Sequence, residues 1–308
     1  MDQMRALLQL RWRLFVRRYQ GQPLRTVALA FAFLWLLSIA ALISAGSIAA
    51  LVRSPGHAPF ELLNVLLFGI WLFWALAPVL GFSLGGSYDV TAQLIYPIPP
   101  FRMFLANVLS SAFGPSVIIL LVVLAGPVLG FTIRAGDTGS RLTAAGLCAA
   151  TALVFGFHVI VFGQTAMLLF LGLLRTRRYQ DLLIVLVPLV AILGWLGGHY
   201  VSRAAARFDY DRLFELRPSR YLAVLPSGFA ARAMDHASWG EIGPFAAFLL
   251  LLVGVTVVVA AFGSLLMQRV YRGDITDALA PRRPVGGVAR REAGPTLLQR
   301  LGLPAAFE

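Results

Sequence analysis

Polar side chains that could perform chemistry are rare within the long apolar runs of this sequence. They are Asn64, Asn107, His158 and Gln164. A lone histidine in such a run more often packs with a hydrogen bond than it ligates a metal. No HExxH motif and no pair of intramembrane carboxylates accompanies it. The sequence therefore predicts a non-enzymatic chain with no catalytic, cofactor-binding or metal-binding residues of its own.

The composition is that of a membrane protein. Hydrophobic residues make up 59% of the chain and charged residues 13%, with a mean hydropathy of +0.80. A soluble domain has about 45–50% apolar and about 25% charged residues. The single cysteine, Cys148, excludes an internal disulfide. All 26 basic residues are arginine, and the formal net charge is +12. In a membrane protein, such an excess of basic residues indicates the orientation in the membrane rather than nucleic-acid binding.

Six apolar runs are long enough to cross a bilayer, which takes about 20 helical residues. They are residues 27–52, 60–86, 106–131, 142–174, 181–201 and 243–268. Because they lack the alternation of barrel strands, the expected fold is all-α, a polytopic membrane helix bundle with six transmembrane helices. The fourth run exceeds an upright span. It is expected to tilt, to bend near Gly156 and Gly163, or to begin outside the bilayer.

The arginines predict the orientation of the bundle. With the N-terminus in the cytoplasm, 17 of the 26 arginines lie in cytoplasmic segments, and six of the others lie in one outer loop, 202–242. The positive-inside rule thus predicts cytoplasmic N- and C-termini. An amphipathic pattern before the first span predicts an N-terminal interfacial helix. Residues 1–269 are expected to form the transmembrane domain, and 270–308 a flexible cytoplasmic tail.

The stretch YDVTAQLIYPIPPFRMFLANVLSS, residues 88–111, interrupts the apolar runs between spans two and three. Its prolines disfavour helix in the residues before them, although a helix can restart with proline in its first turn. We expect a short cytoplasmic elbow that exposes anchors for a protein contact. The residues concerned are Asp89, Tyr96, Pro97, Pro99, Pro100, Phe101, Arg102 and Phe104. A plain polar turn joining two spans is the alternative.

This stretch resembles the coupling-helix region of the transmembrane permease subunits of type-2 ABC exporters. Three other features are similar to that family: the amphipathic N-terminal helix, a short basic loop at 175–181 and the outer segment 202–242. The resemblance implies a second cytoplasmic contact and an external gate. These would be formed by Arg175, Arg177 and Arg178, and by Leu225, Pro226, Gly228 and Phe229, respectively.

The resemblance also implies partners. A P-loop needs lysine and the chain has none, so ATP and Mg would be bound by a separate ABC ATP-binding subunit. The permease would form a homodimer, or pair with a second permease subunit, in the lipid bilayer of the plasma (bacterial inner) membrane, with no nucleic acid. The alternatives are a secondary transporter, which would need ionisable groups at mid-membrane, and a non-transporting membrane scaffold or assembly protein.

Overall fold

The computed structural model describes residues 23–76, 99–112, 114–136, 138–174 and 217–271. Within those ranges the chain forms eight α-helices and no strand, as the all-α prediction requires. The helices are α1 (Pro23–Arg53), α2 (Ala58–Leu76), α3 (Pro100–Ala112), α4 (Pro115–Arg134), α5 (Thr138–Leu174), α6 (Pro218–Leu222), α7 (Pro226–Trp239) and α8 (Ile242–Tyr271).

Five of these helices, α1, α2, α4, α5 and α8, are long and apolar enough to cross a membrane. This is the arrangement of a multi-pass membrane protein. The predicted span 181–201 lies outside the described residues, and so do the interfacial helix before α1 and residues 272–308 of the tail. The sixth span and the side of the membrane on which the termini lie therefore stay predictions.

The predicted span 106–131 is not one helix. Helix α3 ends at Ala112, Gly114 adopts an extended backbone with φ −78° and ψ 159°, and Pro115 opens α4. Proline lacks a backbone donor and disfavours helix in the preceding residue, and at Gly114 the backbone is extended, so one helix ends before Pro115 and another begins there. The interpretation of 106–131 as a single span is wrong. The membrane helix is α4, and α3 is a separate short helix.

Helix α5 is the centre of the bundle and packs against α2, α3, α4, α7 and α8. It has 37 residues, or about 55 Å at 1.5 Å per residue. It continues without a break through Gly156 and Gly163, where an added methyl group would meet only ordinary contacts with Leu124 and Trp74. A helix of this length must tilt or extend past the hydrocarbon core, which is about 30 Å thick.

Helices α1 and α4 pack closely along a seam of small residues. A Cβ placed on Gly126 would lie 2.7 Å from the carbonyl oxygen of Ser44 and 2.9 Å from its Cα. One turn further, a Cβ on Gly130 would lie 2.9 Å from Cδ1 of Leu51. Glycine at both positions lets the two backbones approach, as small residues do between membrane helices. We call these contacts the α1–α4 seam.

The bundle has two ends with different contents. The end of α4 is tied to the end of α1, where Arg134 Nη1 donates to the carbonyl oxygens of Leu51 at 3.0 Å and Ser54 at 2.9 Å. The short helices α6 and α7 lie at this end, called the outer end from the predicted topology. At the opposite, inner end, α3 packs against the later parts of α5 and α8.

Candidate coupling site and outer hairpin

The predicted coupling residues divide between the described and undescribed parts of the chain. Asp89, Tyr96 and Pro97 lie in the range 77–98, outside the described residues. The same range contains GFSLG at 81–85, which has the Gly-x-Ser-x-Gly spacing of a hydrolase nucleophile turn. That motif works after a strand, whereas this copy lies in an apolar run of helical length. The described coupling residues begin at Pro99.

The start of α3 presents two of the predicted contact residues at the inner surface. Pro99 is exposed just before the helix, and Pro100 is its first residue, as the sequence predicts for a helix that restarts at proline. Phe101 follows with 55% of its surface exposed, and Arg102 is exposed beside it. An exposed aromatic ring next to an arginine is a common anchor of a protein interface.

Phe104 is buried, and the expectation that it is exposed is wrong. Only 2% of its surface is accessible, and its ring lies against α8 at Gly263. A Cβ on Gly263 would stand 2.5 Å from Cζ of Phe104 and 2.5 Å from Oγ1 of Thr165 on α5. The absence of a side chain at position 263 is therefore what admits the ring. We call Phe104, Thr165 and Gly263 the α3 joint.

A hydrogen bond attaches α3 to α5 a second time. Gln164 Nε2 donates to Ser111 Oγ at 2.9 Å, near the end of α3. Thr165, the next residue on α5, donates to the Val161 carbonyl at 2.9 Å and approaches the Val259 carbonyl of α8 at 3.5 Å. Polar bonds and the seated ring together make α3 a short rigid link between the surface at Phe101 and two membrane helices.

Sequence reasoning found Phe101 and Arg102 but missed the joint. The helical spacing within PFRMFLANVLSSA could have shown that Phe104 is buried. One face of α3 carries the buried residues Met103, Phe104, Ala106, Asn107 and Val108. Gly263 and Thr165 lie in uniformly apolar runs, where nothing distinguishes them before the helices are packed. The predicted second contact, Arg175, Arg177 and Arg178, lies outside the described residues.

The four predicted gate residues lie in the turn between α6 and α7 and in the first turn of α7. We call residues 217–240 the outer hairpin. Leu225 caps α7, Pro226 begins it, and Gly228 is buried where a Cβ would meet the Leu222 carbonyl and its carbon at 2.9 Å. Phe229 packs partly buried against the core. The expected short helices are present, and the gating role stays a prediction.

Helix α7 packs against the bundle through a face that consists mainly of small side chains. Ala230, Ala231, Ala233 and Ala237 are at most 1% exposed, and Met234 is fully buried. The Cys148 thiol of α5 donates to the Met234 carbonyl at 3.7 Å. The neighbours of α7 are mainly α8, α5 and α2. The hairpin was expected to pack over spans five and six. Only α8, the sixth predicted span, can be checked, because 181–201 lies outside the described residues.

A buried carboxylate holds the hairpin to α2. Glu61 is 6% exposed and accepts hydrogen bonds from the backbone N–H of Ser219 at 2.7 Å and from its hydroxyl at 2.6 Å. On α7, His236 pairs with Glu241 at 2.6 Å and stacks on Phe248 of α8. The Glu61 bonds attach the start of the hairpin to α2, and the stacking of His236 on Phe248 places its end against α8.

Asp235 is the perturbed acid of the outer hairpin. Burial raises its pKa, with Glu241 adding to that effect. The charges of His236 and His57 and a hydrogen bond from Trp239 act in the opposite direction. The pKa of Asp235 is raised overall, because the loss of solvation outweighs the nearby positive charges and the hydrogen bond.

No group of three or more His, Cys, Asp or Glu side chains in the described ranges could hold a metal ion. What the arrangement offers is mechanical, since one surface-exposed helix start is linked through a buried joint to two membrane helices. No protein-family model, curated protein or solved structure matches the chain.

Proposed function

We propose that the chain is the membrane permease subunit of an ATP-driven exporter, coupled to a separate ATP-binding subunit through the start of α3. The observation that carries the proposal is the construction of α3. Its first turn exposes Phe101 and Arg102, and its next turn buries Phe104 between α5 and α8. A soluble partner that pushes on the exposed turn would displace two membrane helices at once.

The distribution of charge favours an external source of energy over an ion gradient. In the described spans, the acidic and basic residues lie at helix ends, as Glu61, Arg53, Arg134, Arg141 and Arg269 do. A transporter driven by protons or sodium ions would be expected to hold such groups at mid-membrane. A transporter whose membrane helices lack such groups needs another source of energy, and the closure of an ATPase on α3 would supply it.

The proposal includes an assembly and a location. One bundle of this size forms half of an export pathway, so the permease would act as a homodimer or with a related permease, together with two ATPase subunits that bind ATP and Mg. The plasma membrane is the expected site. The outer hairpin, including Leu225 and Phe229, would close the outer mouth of the pathway.

Co-purification tests the coupling. The tagged chain is extracted from its native membrane in a mild detergent, and a Walker-A-containing ABC ATPase is sought among the bound proteins by mass spectrometry. Phe101→Asp combined with Arg102→Glu should reduce its recovery at least tenfold. Tyr221→Asp is the matched control, because Tyr221 is an aromatic residue, 77% exposed, on the outer hairpin.

Two results would reject the proposal. One is wild-type chain that brings down no such ATPase. The other is equal recovery with the wild type and the α3 double variant. Phe104 is left out of the test because an acid at this buried position would destabilise the bundle whatever its function.

A further inference from the structure

The buried pair His158 and Thr256 joins α5 to α8 deep in the bundle. His158 is fully buried, and its Nδ1 lies 3.0 Å from Oγ1 of Thr256. Thr256 is midway along α8, so the pair lies far from both ends of a membrane helix. The site belongs neither to the α3 joint nor to the outer hairpin.

The hydrogen bonds around this pair fix the tautomer of the histidine. The Thr256 hydroxyl has one hydrogen, which it donates to the Leu252 carbonyl at 2.7 Å. Its oxygen must therefore accept from His158, so the proton of the neutral imidazole is on Nδ1. It follows that Nε2 carries a lone pair and no hydrogen. This atom is buried and has no hydrogen-bond partner.

A second unpartnered polar atom lies where α2 packs against α5, and Phe162 connects it to His158. Trp71 of α2 packs on the ring of Phe162 with centroids 4.7 Å apart, and Phe162 stacks on His158 at 6.2 Å. The indole Nε1–H of Trp71 is buried and bonds to nothing. A buried acceptor and a buried donor, on two rings that both contact Phe162, are thus unsatisfied. A buried polar group without a partner destabilises the fold, and a ligand that pairs with it removes that penalty.

We propose that His158 and Trp71 form a binding site for a neutral, apolar molecule that carries a hydroxyl group. The hydroxyl would donate to His158 Nε2, and an oxygen of the same molecule would accept from Trp71 Nε1–H. A cation has no counter-charge here, since residues 62–76, 142–169 and 242–268 contain no Asp, Glu, Lys or Arg. An anion would be repelled by the lone pair on Nε2. Neutral hydroxyl chemistry satisfies both atoms.

The site is closed in this structure, because both polar atoms are inaccessible to solvent. Phe162 contacts both rings, so entry requires its side chain to turn or α2 to move away from α5. The two unsatisfied atoms favour that opening when a ligand can pair with them. Binding here needs no ATPase partner, since it concerns the chain alone and can fail or hold independently of the proposed function.

Nitrogen NMR of the histidine side chain tests the site directly. The full chain, with ¹⁵N-labelled histidine, is placed in phosphatidylcholine nanodiscs, and the His158 signals are assigned by their loss in His158→Gln. The probes are 1-dodecanol and methyl dodecyl ether, which share an apolar chain and an oxygen, but only the alcohol can donate. We expect dodecanol to shift the Nε2 resonance saturably from a free to a hydrogen-bonded acceptor, and the ether to leave it unchanged.

Two variants connect the response to this site. Thr256→Val removes the acceptor that fixes the tautomer, so it should weaken the dodecanol response severalfold. Thr151→Val is the matched control. Thr151, on α5, is buried like Thr256 on α8, but its hydroxyl donates to the Leu147 carbonyl and not to the His158 site. Phe162→Leu keeps an apolar side chain but removes the ring that contacts both Trp71 and His158, so it should strengthen dodecanol binding.

Several outcomes would overturn the inference. These are no response to dodecanol in the wild-type chain, an equal response to the ether, and an Nε2 signal already hydrogen-bonded before any addition, which would mean that a trapped water satisfies it. An unchanged dodecanol response in folded Thr256→Val would do the same. Folding is checked by the protection of Cys148, which is the only cysteine of the chain and is buried.

Discussion

Two glycines lie beneath other helices in this bundle, but they meet different kinds of atom. At the α1–α4 seam, the atoms of α1 nearest to Gly126 are the Ser47 hydroxyl, which can turn, and the backbone carbonyl oxygen and Cα of Ser44, which cannot. At the α3 joint, Gly263 faces the tip of the Phe104 ring and the Thr165 hydroxyl. Backbone atoms can yield only if a whole helix moves, whereas the end of a side chain can turn.

The difference assigns different mechanical properties to the two ends. The seam joins two long helices along their backbones and is reinforced by the Arg134 bonds at the outer end, so α1 and α4 should move as one body. The joint holds α3 by the buried Phe104 ring, and the Gln164–Ser111 hydrogen bond attaches it a second time, so α3 should move together with α5 and α8. Force applied at α3 could then reach α5 and α8 without breaking the seam.

The largest expected effect is at the joint. Phe104→Ala removes a buried ring and leaves a cavity, which costs about 3–5 kcal/mol in protein cores. Gly263→Ala alone should cost about 1–3 kcal/mol by overpacking, but little when Phe104 is already alanine. A thiol-reactive fluorophore that reports exposure of Cys148 on heating measures unfolding of each variant.

The double variant decides whether the ring and the glycine are one unit. Their interaction energy should be on the order of 1 kcal/mol or more, since contacting residues are not additive. Strictly additive losses in the two single variants and the double variant would contradict the joint, even if each variant alone were destabilised.

The seam gives the next effect, with two glycine-to-alanine changes of opposite sign. Gly126→Ala should lower stability by about 1–3 kcal/mol, because its methyl meets the backbone of α1. Gly46→Ala on α1 is the control. It is exposed and has nothing within 4 Å, so alanine should be neutral or stabilise the helix by up to about 1 kcal/mol. Equal melting midpoints for the two variants would remove the distinction between seam and open surface.

Composition and periodicity predicted the coarse fold because both depend on runs of many residues. Runs of some 20 apolar residues predicted α1, α5 and α8 within a few residues of their described bounds, and the start of α2. Residues 77–86 of the predicted second span lie outside the described residues. The run 106–131 failed because one dipeptide, Gly114–Pro115, ends a helix without changing the hydropathy around it. Average hydropathy cannot register a local loss of a backbone donor.

The sites were harder to predict because they depend on pairs of residues far apart in the sequence. Exposed Phe101 follows from the proline-broken stretch, but the burial of Phe104 depends on Gly263, 159 positions later. Three GxxxG pairs occur, about as many as 29 glycines give by chance, so the sequence did not single out Gly126 and Gly130. Only packing identifies that pair as a helix contact.

The outer end offers a smaller, local effect. Glu61→Ala removes the acceptor of two hydrogen bonds from Ser219, so α6 should open more often. Trypsin added on the outer side should then cleave after the exposed Arg220 on the order of ten times faster, since bonds to a charged group contribute about 1.5–3 kcal/mol. The bond after Arg217 precedes Pro218 and resists trypsin, so Arg220 is the site to follow. Glu241→Ala is the control, because that glutamate is exposed and its surface pair contributes little. Similar cleavage rates in the two variants would count against the anchoring role of Glu61.

The smallest expected effect is a pH dependence at Asp235 on the outer hairpin. Burial raises the pKa of this carboxyl in the folded state above its value in the unfolded chain, which is about 3.9. Between those two pKa values the folded protein binds more protons than the unfolded one, so this group makes stability fall as the pH rises through that window.

Asp235→Asn should abolish the dependence while keeping the side-chain shape. The difference in melting midpoint between wild type and variant, measured from pH 4 to pH 7, should therefore shift in favour of the wild type towards low pH. Taking the difference reduces the contributions of the neighbouring groups that both proteins share, which are His57, His236 and Glu241. A difference that stays constant with pH, or that shifts the other way, would mean that the nearby histidine charges and the Trp239 hydrogen bond outweigh burial at this position.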